Sequence, residues 1–369
     1  MGHPAAERPS GGDGAASYRE AGIDMSGGGD RDPVEALLDH GGERLRGRMA
    51  RIERHLERVT AAAGAPLAAH ASATIMAGGK RLRPLLVVLA AEAAGGPEPD
   101  DAAAEEHLTR AAVAVELVHS ATLVHDDVID AALLRRGSPT VVAGAGRRTA
   151  IATGDLLFSR AFAELARNED PAQLRALSDA SLALAAGELL QREDAYAPRV
   201  ALERYLRRCE LKTAALFEAA CRLGALVAAG AAGFFGSPDL ADALGLFARR
   251  IGLAFQILDD VLDVSGPVER TGKARGTDLL DGTVTLPLIL ARERDATLAE
   301  VDLRALRDAG AQWAEELCDR IAATGALGAA RERALAAVAE AKTALPASLP
   351  RNRAASLERV ADAVVERYS

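Results

Sequence analysis

The sequence is poor in aromatic residues, and this shortage accompanies a strong bias towards helix formers. Phe, Trp and Tyr make up 3% of the 369 residues, whereas hydrophobic residues make up 49%. Alanine and leucine dominate that apolar content, and both favour helices. Valine occurs in runs with helical spacing and not in alternating segments between turn residues. We therefore predict an all-α protein without a substantial sheet.

Cysteine is also scarce. The three cysteines, Cys209, Cys221 and Cys318, are odd in number and lack CxxC spacing. This pattern argues against a disulfide or zinc framework and fits reduced thiols, so we expect a cytoplasmic location. The longest uncharged stretch, 223–238, contains several glycines and is shorter than a membrane span. Any membrane contact should therefore be peripheral.

Positive charge is neither in excess nor clustered. The chain has 44 Lys and Arg against 53 Asp and Glu, a net charge of −9, and no basic tract. A nucleic-acid partner is therefore not expected. A polyanionic substrate remains compatible with this balance if metal ions neutralise it.

The composition changes once, near residue 32. Residues 1–32 are rich in Gly, Ala, Ser and charge and show no apolar periodicity, which predicts a disordered tail. Met25 is an alternative start of translation. From 33 to 369, helical stretches follow one another with short Gly or Pro punctuation and no long linker. We predict a single domain over 33–369.

Two aspartate-rich segments stand out. In the first, an apolar stretch from residue 115 leads into the sequence DDVID, and Asp126 and Asp130 share one helix face. Adjacent like charges at a helix C-terminus are unfavourable unless a cation neutralises them. A single copy of this pattern also fits a solvated helix end.

A second copy, DDVLD, ends the apolar segment 252–263, and Asp259 and Asp263 again share a face. Two copies favour a paired metal site over two solvated ends. Hard carboxylate ligands from facing helices suit Mg²⁺, which completes its coordination with water and substrate phosphate. The sequence therefore predicts a diphosphate held between two aspartate motifs.

Only four of the 44 basic residues are lysine: Lys80, Lys212, Lys273 and Lys342. In an arginine-biased chain, each lysine is a candidate for a site where the planar arginine fork does not fit. Lys80 and Arg83 lie where glycines end one helix and Pro84 begins the next, and a helix N-terminus favours phosphate. Chance placement is the alternative, with Lys342 as its example.

Together these segments resemble the trans-polyprenyl diphosphate synthases over about 78–287. In order, they are GGKRLRP, HSATLVHDDVID followed by RRGSPT, GELLQ, KTAALF, QILDDVLDV and GKARGTDL. The resemblance implies an all-α isoprenoid synthase fold, with a single large helical bundle around a central cavity in a polyprenyl synthase domain spanning 33–369. It also implies a homodimer and Mg²⁺-dependent transfer of an allylic group to isopentenyl diphosphate.

The resemblance assigns roles by position. The metal site comprises Asp126, Asp127, Asp130, Asp259, Asp260 and Asp263. The residues around isopentenyl diphosphate are Lys80, Arg83, His119 and Arg136, and those around the allylic diphosphate are Arg135, Lys212, Thr213, Gln256 and Lys273. The catalytic set is Asp126, Asp130, Lys212 and Asp259. For His119 alone, without the resemblance, a buried core histidine is the simpler interpretation.

Product length depends on the helix face behind Asp126. A growing chain would pass Thr122 and Val118, with Ala121 beside them, and none of these residues is aromatic. In the family, large aromatics at positions 121 and 122 stop growth early. We therefore expect a long product, about C30 to C50 by analogy with the family. A residue on a neighbouring helix could still block the elongation path and limit the product to farnesyl or geranylgeranyl diphosphate.

One departure from the family pattern is Thr283, which stands where many members carry lysine. Three rivals also remain open. A terpene cyclase of the same fold commonly has an aromatic-lined cavity, but aromatics are few here. A di-iron bundle would use two ExxH motifs, but only Glu116 and His119 have that spacing. A non-catalytic partner subunit should have lost aspartates or Lys80.

Overall fold

The computed structural model describes residues 33–369 except 63, 65–66, 99, 136, 233–237, 267–274 and 367–369. Within the described residues, one short hairpin is the only sheet, and the remaining regular structure is helical. The predicted all-α class is therefore confirmed. The predicted tail 1–32 lies outside the described residues.

The helices are named here in chain order. They are α1 Pro33–Ala61, α2 Leu67–Met76, α3 Leu82–Ala93, α4 Ala102–Ile129, α5 Val141–Ala166, α6 Pro171–Asp194, α7 Leu202–Cys209, α8 Ala215–Ala232, α9 Pro238–Ser265, α10 Thr277–Leu280, α11 Leu286–Arg294, α12 Ala296–Ala299, α13 Leu303–Ala309, α14 Ala311–Ala323, α15 Ala326–Ala344 and α16 Arg351–Glu366. A π-helical turn, Glu210–Ala214, joins α7 to α8.

Side-chain caps fix where the long helices begin. Asp101 accepts a hydrogen bond from the Ala104 amide at the start of α4, and Thr140 accepts one from Ala143 at the start of α5. Asp170 caps α6, whose first residue is Pro171. Such caps satisfy amides that have no partner within the helix, and proline suits the first turn.

The centre of the core is α8, which packs against α3, α4 and α9, and α3 also packs against α4. In α3 the consecutive residues 84–91 are all buried, so this helix is covered on every side. The stretch Leu202–Gly230 is long and apolar enough to cross a membrane by length and composition alone. However, 67% of its most apolar 18-residue segment is buried in the bundle, so packing in the core accounts for the apolar character of this stretch.

Two glycines let neighbouring helices press against the π-helical turn. A Cβ atom on Gly187 of α6 would lie 2.5 Å from the amide nitrogen of Lys212. A Cβ atom on Gly252 of α9 would lie 2.7 Å from the Cα atom of Ala214. The turn is therefore held between α6 and α9 at a separation that only glycine permits. π-Helical turns are rare and often occur at functional sites.

The hairpin follows the first aspartate motif. Strands β1, Leu134–Arg135, and β2, Ser138–Pro139, pair antiparallel. The Thr140 hydroxyl donates to the Ala132 carbonyl at 2.6 Å and closes the hairpin base. This connection places Arg135 beside the end of α4, where it meets the first motif.

Candidate active site

A cavity of about 310 Å³ lies where α4 and α9 end, and it brings the two aspartate motifs together. Its described lining includes nine of the predicted site residues: Arg83, His119, Asp126, Asp130, Lys212, Thr213, Gln256, Asp259 and Asp260. It also includes residues that the sequence did not single out: Leu123, Gln191, Arg192, Ala195, Arg208, Phe255, Thr277, Asp278, Asp281 and Thr285. Thr122, Cys209 and Thr283 complete the described lining.

Asp126 of the first motif lines the cavity in a partly buried position. Burial raises the pKa of its carboxyl to about 6, with Glu188 and Asp130 adding to the rise and Lys212 opposing it. A nearby cation stabilises the ionised form of a partly buried carboxylate that faces further negative charge. Asp126 is therefore placed to bind a metal ion or another cation.

The other two carboxylates of the first motif are paired with arginine. Asp127 is buried, and its Oδ1 atom accepts hydrogen bonds at 2.8 Å from Arg135 in the hairpin. Asp130 accepts one from Arg192 of α6 at 2.5 Å. Asp127 thus ties α4 to the hairpin, whereas Asp130 lines the cavity. Arg135 contacts Asp127 and lies outside the described cavity lining.

Lys212 reaches the cavity from the π-helical turn. Its Nζ atom donates to Glu188 Oε2 at 2.5 Å, and Arg192 Nε donates to Glu188 Oε1 at 2.8 Å. Burial favours the neutral form of Glu188, but Lys212 and Arg192 together hold its pKa below its usual value. Glu188 therefore holds the positively charged side chains of Lys212 and Arg192 beside the first motif.

A chain of hydrogen bonds anchors the second motif. The Thr213 hydroxyl donates to Gln256 Oε1 at 2.6 Å, and Gln256 Nε2 donates to Asp260 Oδ1 at 2.7 Å. The Tyr205 hydroxyl donates to Asp260 Oδ2 at 2.6 Å. Burial holds the pKa of Asp260 well above its usual range, and the charge of Asp278 adds to this. Both carboxylate oxygens of Asp260 therefore accept hydrogen bonds from protein side chains.

Asp259 and Asp263 occupy different surroundings, although they share a helix face. Asp259 lines the cavity. Asp263 Oδ2 accepts from the Asp278 amide at 3.3 Å, and its carbonyl accepts from Gly276 at 2.9 Å. The first aspartate of the motif therefore faces the cavity, while the last fastens the segment that leads into α10.

The predicted isopentenyl site is only partly formed by the cavity. Arg83 and His119 line it, and the Arg83 guanidinium lies 4.9 Å from the centre of the Phe217 ring. Lys80 is exposed in the loop before α3, outside the described lining. Arg136 and Lys273 lie outside the described residues.

Glu116, the glutamate of the ExxH spacing, forms an ion pair with Arg81, which explains its position without a metal ion. Glu116 is buried and accepts from Arg81 Nη1 at 2.8 Å, while Arg81 Nε donates to Glu53 at 2.6 Å. Burial raises the pKa of Glu116, and Arg81 is its principal opposing charge. Glu116 therefore has a structural ion pair between α4 and the loop before α3, which argues against the di-iron interpretation.

The donor chemistry of the cavity fits a hard divalent cation. No group of three His, Cys, Asp or Glu side chains within the described ranges is gathered closely enough to hold a metal alone. Mg²⁺ does not require such a group, because one or two carboxylates and substrate phosphate suffice. Asp126, Asp130 and Asp259 line the cavity as hard oxygen donors, and Asp126 is partly buried beside the negative charges of Glu188 and Asp130.

Two charged residues beside the first motif are missing from the sequence prediction. GELLQ is one of the family motifs, but the sequence assigns no role to Glu188 within it or to Arg192 just after it. Their i,i+4 spacing is a signal for an ion pair on one helix face. The partners Lys212 and Asp130 lie far away in sequence, so only the tertiary fold brings these four charges together.

The comparisons with known proteins agree with this geometry. Residues 65–317 match the family model described as polyprenyl synthetase. Heptaprenyl diphosphate synthase component 2 of Geobacillus stearothermophilus is 40% identical over 254 residues, covering 69% of this chain and 75% of that protein. The all-trans-nonaprenyl-diphosphate synthase (geranyl-diphosphate specific) of Rhodobacter capsulatus is 35% identical over 291 residues, covering 78% and 86%.

A solved structure extends the likeness to the fold. The polyprenyl synthase of Caulobacter crescentus, in complex with calcium and isoprenyl diphosphate, superposes with a TM-score of 0.80 at 34% identity. The match covers 92% of this chain and 100% of that one. The isoprenoid synthase fold expected from the motifs is therefore confirmed.

Proposed function

Because the chain belongs to the polyprenyl synthetase family and is a trans-prenyltransferase, we propose that it makes a long-chain all-trans polyprenyl diphosphate. The substrates are isopentenyl diphosphate and an allylic diphosphate, the reaction depends on Mg²⁺, and the product is about C30 to C50 by analogy. The observation that carries the proposal is one cavity in which Asp126, Asp130 and Asp259 converge with Lys212.

The residues of the cavity favour departure of the allylic diphosphate. Asp126, Asp130 and Asp259 would hold Mg²⁺, which when bound would neutralise the charge that develops on the leaving diphosphate. Lys212 lies at the same wall and donates a further positive charge towards that anion. Asp127, Asp260 and Asp263 support this arrangement by fixing the hairpin, α9 and the segment before α10. Lys273 is proposed as a further contact of the allylic diphosphate.

The second substrate is held from the side of α3 and α4. Arg83 and His119 line the cavity and offer donors to the diphosphate of isopentenyl diphosphate, with Lys80 and Arg136 as the proposed outer contacts. Leu123 and Phe255 supply apolar wall between the two anion-binding regions. Positioning both substrates in one small space accounts for much of the expected rate. The proton is proposed to leave with the diphosphate, without a dedicated side-chain base.

The long product is supported by small residues behind Asp126. Thr122 lines the cavity, and Ala121 and Val118 are fully buried, so none of these three positions behind the motif carries an aromatic side chain. The two curated relatives described above are named for heptaprenyl and nonaprenyl products. A farnesyl or geranylgeranyl product is the alternative if a neighbouring helix closes the path.

The proposed assembly is a homodimer through α5 and α6. Leu182 and Leu189 of α6 are 68% and 66% exposed, and Ile151 of α5 is 39% exposed. Ala185 and Ala186 between the two leucines are also exposed, so α6 presents a continuous apolar stripe. Such a stripe is favourable when it is covered by a second copy. We also propose a cytoplasmic location for the protein, with at most peripheral contact with a membrane.

The test is to incubate purified protein with Mg²⁺, isopentenyl diphosphate, and geranyl, farnesyl or geranylgeranyl diphosphate, and to size the products. We expect chains of about C30 to C50 by analogy, and no turnover in the presence of a chelator. Asp126→Ala should abolish turnover while the circular dichroism spectrum is unchanged. No incorporation with any primer would contradict the proposal, and a cyclic hydrocarbon would favour the cyclase.

A further inference from the structure

Arg192 occupies an unusual place beside the first aspartate motif. It lies in the last turn of α6 and lines the cavity. Its Nη2 atom donates to Asp130 Oδ1 at 2.5 Å, and its Nε atom donates to Glu188 Oε1 at 2.8 Å. The guanidinium is 40% exposed and the Asp130 carboxylate 34%, so the pair sits at the rim of the cavity.

Four charges of alternating sign run along this rim. Lys212 contacts Glu188, Glu188 contacts Arg192, and Arg192 contacts Asp130. An arginine side chain stays protonated in proteins, and the hydrogen bond to Glu188 holds Arg192 in place independently of Asp130.

The contact with Asp130 conflicts with metal binding at the same carboxylate. A guanidinium takes up acceptor capacity on Asp130 Oδ1, and a divalent cation a few ångströms from a fixed positive charge is repelled. Asp126 lies one turn earlier on the same helix face and also lines the cavity, so Asp130 is the carboxylate of this pair that an arginine contacts.

We propose that Arg192 is a built-in counter-ion of Asp130 that competes with Mg²⁺ for this carboxylate and thereby weakens metal binding at the first motif. This proposal rests on the proposed role of Asp126 and Asp130 as metal ligands. Because Glu188 contacts the Nε edge of Arg192, the displaced guanidinium stays beside the cavity and can return when the metal leaves. Metal affinity in the resting protein is therefore set by α6 as well as by α4.

The experiment measures metal binding directly, without turnover. Mn²⁺ has the same preference for carboxylate oxygen as Mg²⁺, and its free ion is followed by electron paramagnetic resonance. Mn²⁺ is titrated into the full-length protein without substrate, and Mg²⁺ competition gives the Mg²⁺ affinity. Arg192→Gln should tighten both Kd values about three- to tenfold, since the lost contact is a partly exposed ion pair. Arg192→Lys, which keeps the charge, should remain closer to wild type.

Arg175→Gln is the matched control. Arg175 lies on the exposed face of the same helix, and its removal changes the net charge of α6 equally. An unchanged Kd in Arg192→Gln, or equal tightening in Arg175→Gln, would overturn the proposal. If the wild type turns over substrate and binds Mn²⁺ but Arg192→Gln does not bind Mn²⁺ more tightly, only the proposed counter-ion role of Arg192 is wrong. If the wild type neither binds Mn²⁺ nor requires metal for turnover, the metal role of the proposed function fails as well.

Discussion

The Tyr205 hydroxyl and the Asp260 carboxylate are joined by a 2.6 Å hydrogen bond inside the protein. Tyr205 is fully buried and Asp260 is 3% exposed. This bond connects α7 to the second aspartate motif, directly beside the turn that carries Lys212. Together with Gln256 and Arg208, Tyr205 favours the ionised form of Asp260, against burial and the charge of Asp278.

Tyr205→Phe should therefore raise the pKa of Asp260 further. Asp260 becomes protonated at higher pH, so the acid limb of kcat/KM for the allylic diphosphate should move to higher pH. The free energy of unfolding at pH 8 should fall by about 1.5 to 3 kcal/mol, because a buried charged acceptor loses its donor. Steady-state kinetics from pH 5 to about 9 and urea unfolding measure the two effects.

Tyr196→Phe serves as the control for this change. The Tyr196 hydroxyl donates to the Leu280 carbonyl at 3.3 Å, outside the cavity lining. Its removal should leave the acid limb in place. A pH profile for Tyr205→Phe that coincides with wild type would show that the bond does not tune the site.

Asp126 should make the metal-free protein less stable at neutral pH than at pH 5. Its pKa in the folded protein is about 6, against an ordinary 3.8, so the folded state holds the proton more tightly than the unfolded state. The resulting contribution to stability is therefore present below pH 3.8 and is lost as the pH rises through 6. Asp126→Asn removes this dependence.

At pH 8 without metal, Asp126→Asn should melt about 2 to 4 °C above wild type, and the gap should close towards pH 4. Differential scanning calorimetry at both pH values measures this. Asp179→Asn, an exposed position on α6, controls for the loss of one negative charge. A gap that is constant with pH would contradict the burial argument.

The sequence located the aspartate motifs because their apolar helices have strong local signals. Both motifs end long helices as predicted, and Asp126, Lys212 and Asp259 meet at one cavity. Asp127 and Arg135 are a different case, because their pairing depends on a hairpin of two-residue strands. Strands that short carry almost no alternating pattern, so the direction of Arg135 could not be read from sequence.

The π-helical turn was likewise invisible in the sequence. KTAALF fits an amphipathic helical pattern, and a single π-helical turn is too short to show a periodicity of its own. The turn depends on close approach by α6 and α9, which requires Gly187 and Gly252. The contact between Arg192 and Asp130 joins positions 62 residues apart, so it too is a product of tertiary packing.

Gly187→Ala should damage both stability and catalysis. Its Cβ atom would lie 2.5 Å from the Lys212 amide nitrogen and 2.9 Å from its Cα atom, so α6 and the π-helical turn must separate. We expect a loss of about 1 to 3 kcal/mol in the free energy of unfolding, as in overpacked cores. Because Lys212 moves with the turn, kcat should fall as well.

Gly328→Ala is the matched control for Gly187→Ala. A Cβ atom at Gly328 meets open space on the exposed face of α15, and alanine there should stabilise the helix by up to about 1 kcal/mol. Urea unfolding and steady-state kinetics compare the two variants. Equal effects of both substitutions would show that close packing at Gly187 is not required.

Leu189→Glu should dissociate the proposed dimer. The leucine is 66% exposed on the apolar stripe of α6, and a charge there would be buried without a partner when two copies meet. Multi-angle light scattering after size-exclusion chromatography should show a shift from dimer to monomer. Leu335→Glu, 48% exposed on α15, is the control and should leave the mass unchanged. A monomeric wild type would contradict the assembly.

Thr122→Phe should shorten the product. Thr122 lines the cavity one helical turn behind Asp126, and its hydroxyl donates to the His119 carbonyl at 2.7 Å, so its side chain is held in place. A phenyl ring there would block the face along which the hydrocarbon grows. Thr122→Val keeps the size of the side chain and controls for loss of the hydroxyl. We expect products below about C30 from Thr122→Phe and unchanged products from Thr122→Val, by analogy with the family. Thin-layer chromatography of the dephosphorylated prenols measures both, and identical distributions would place the elongation path along another helix face.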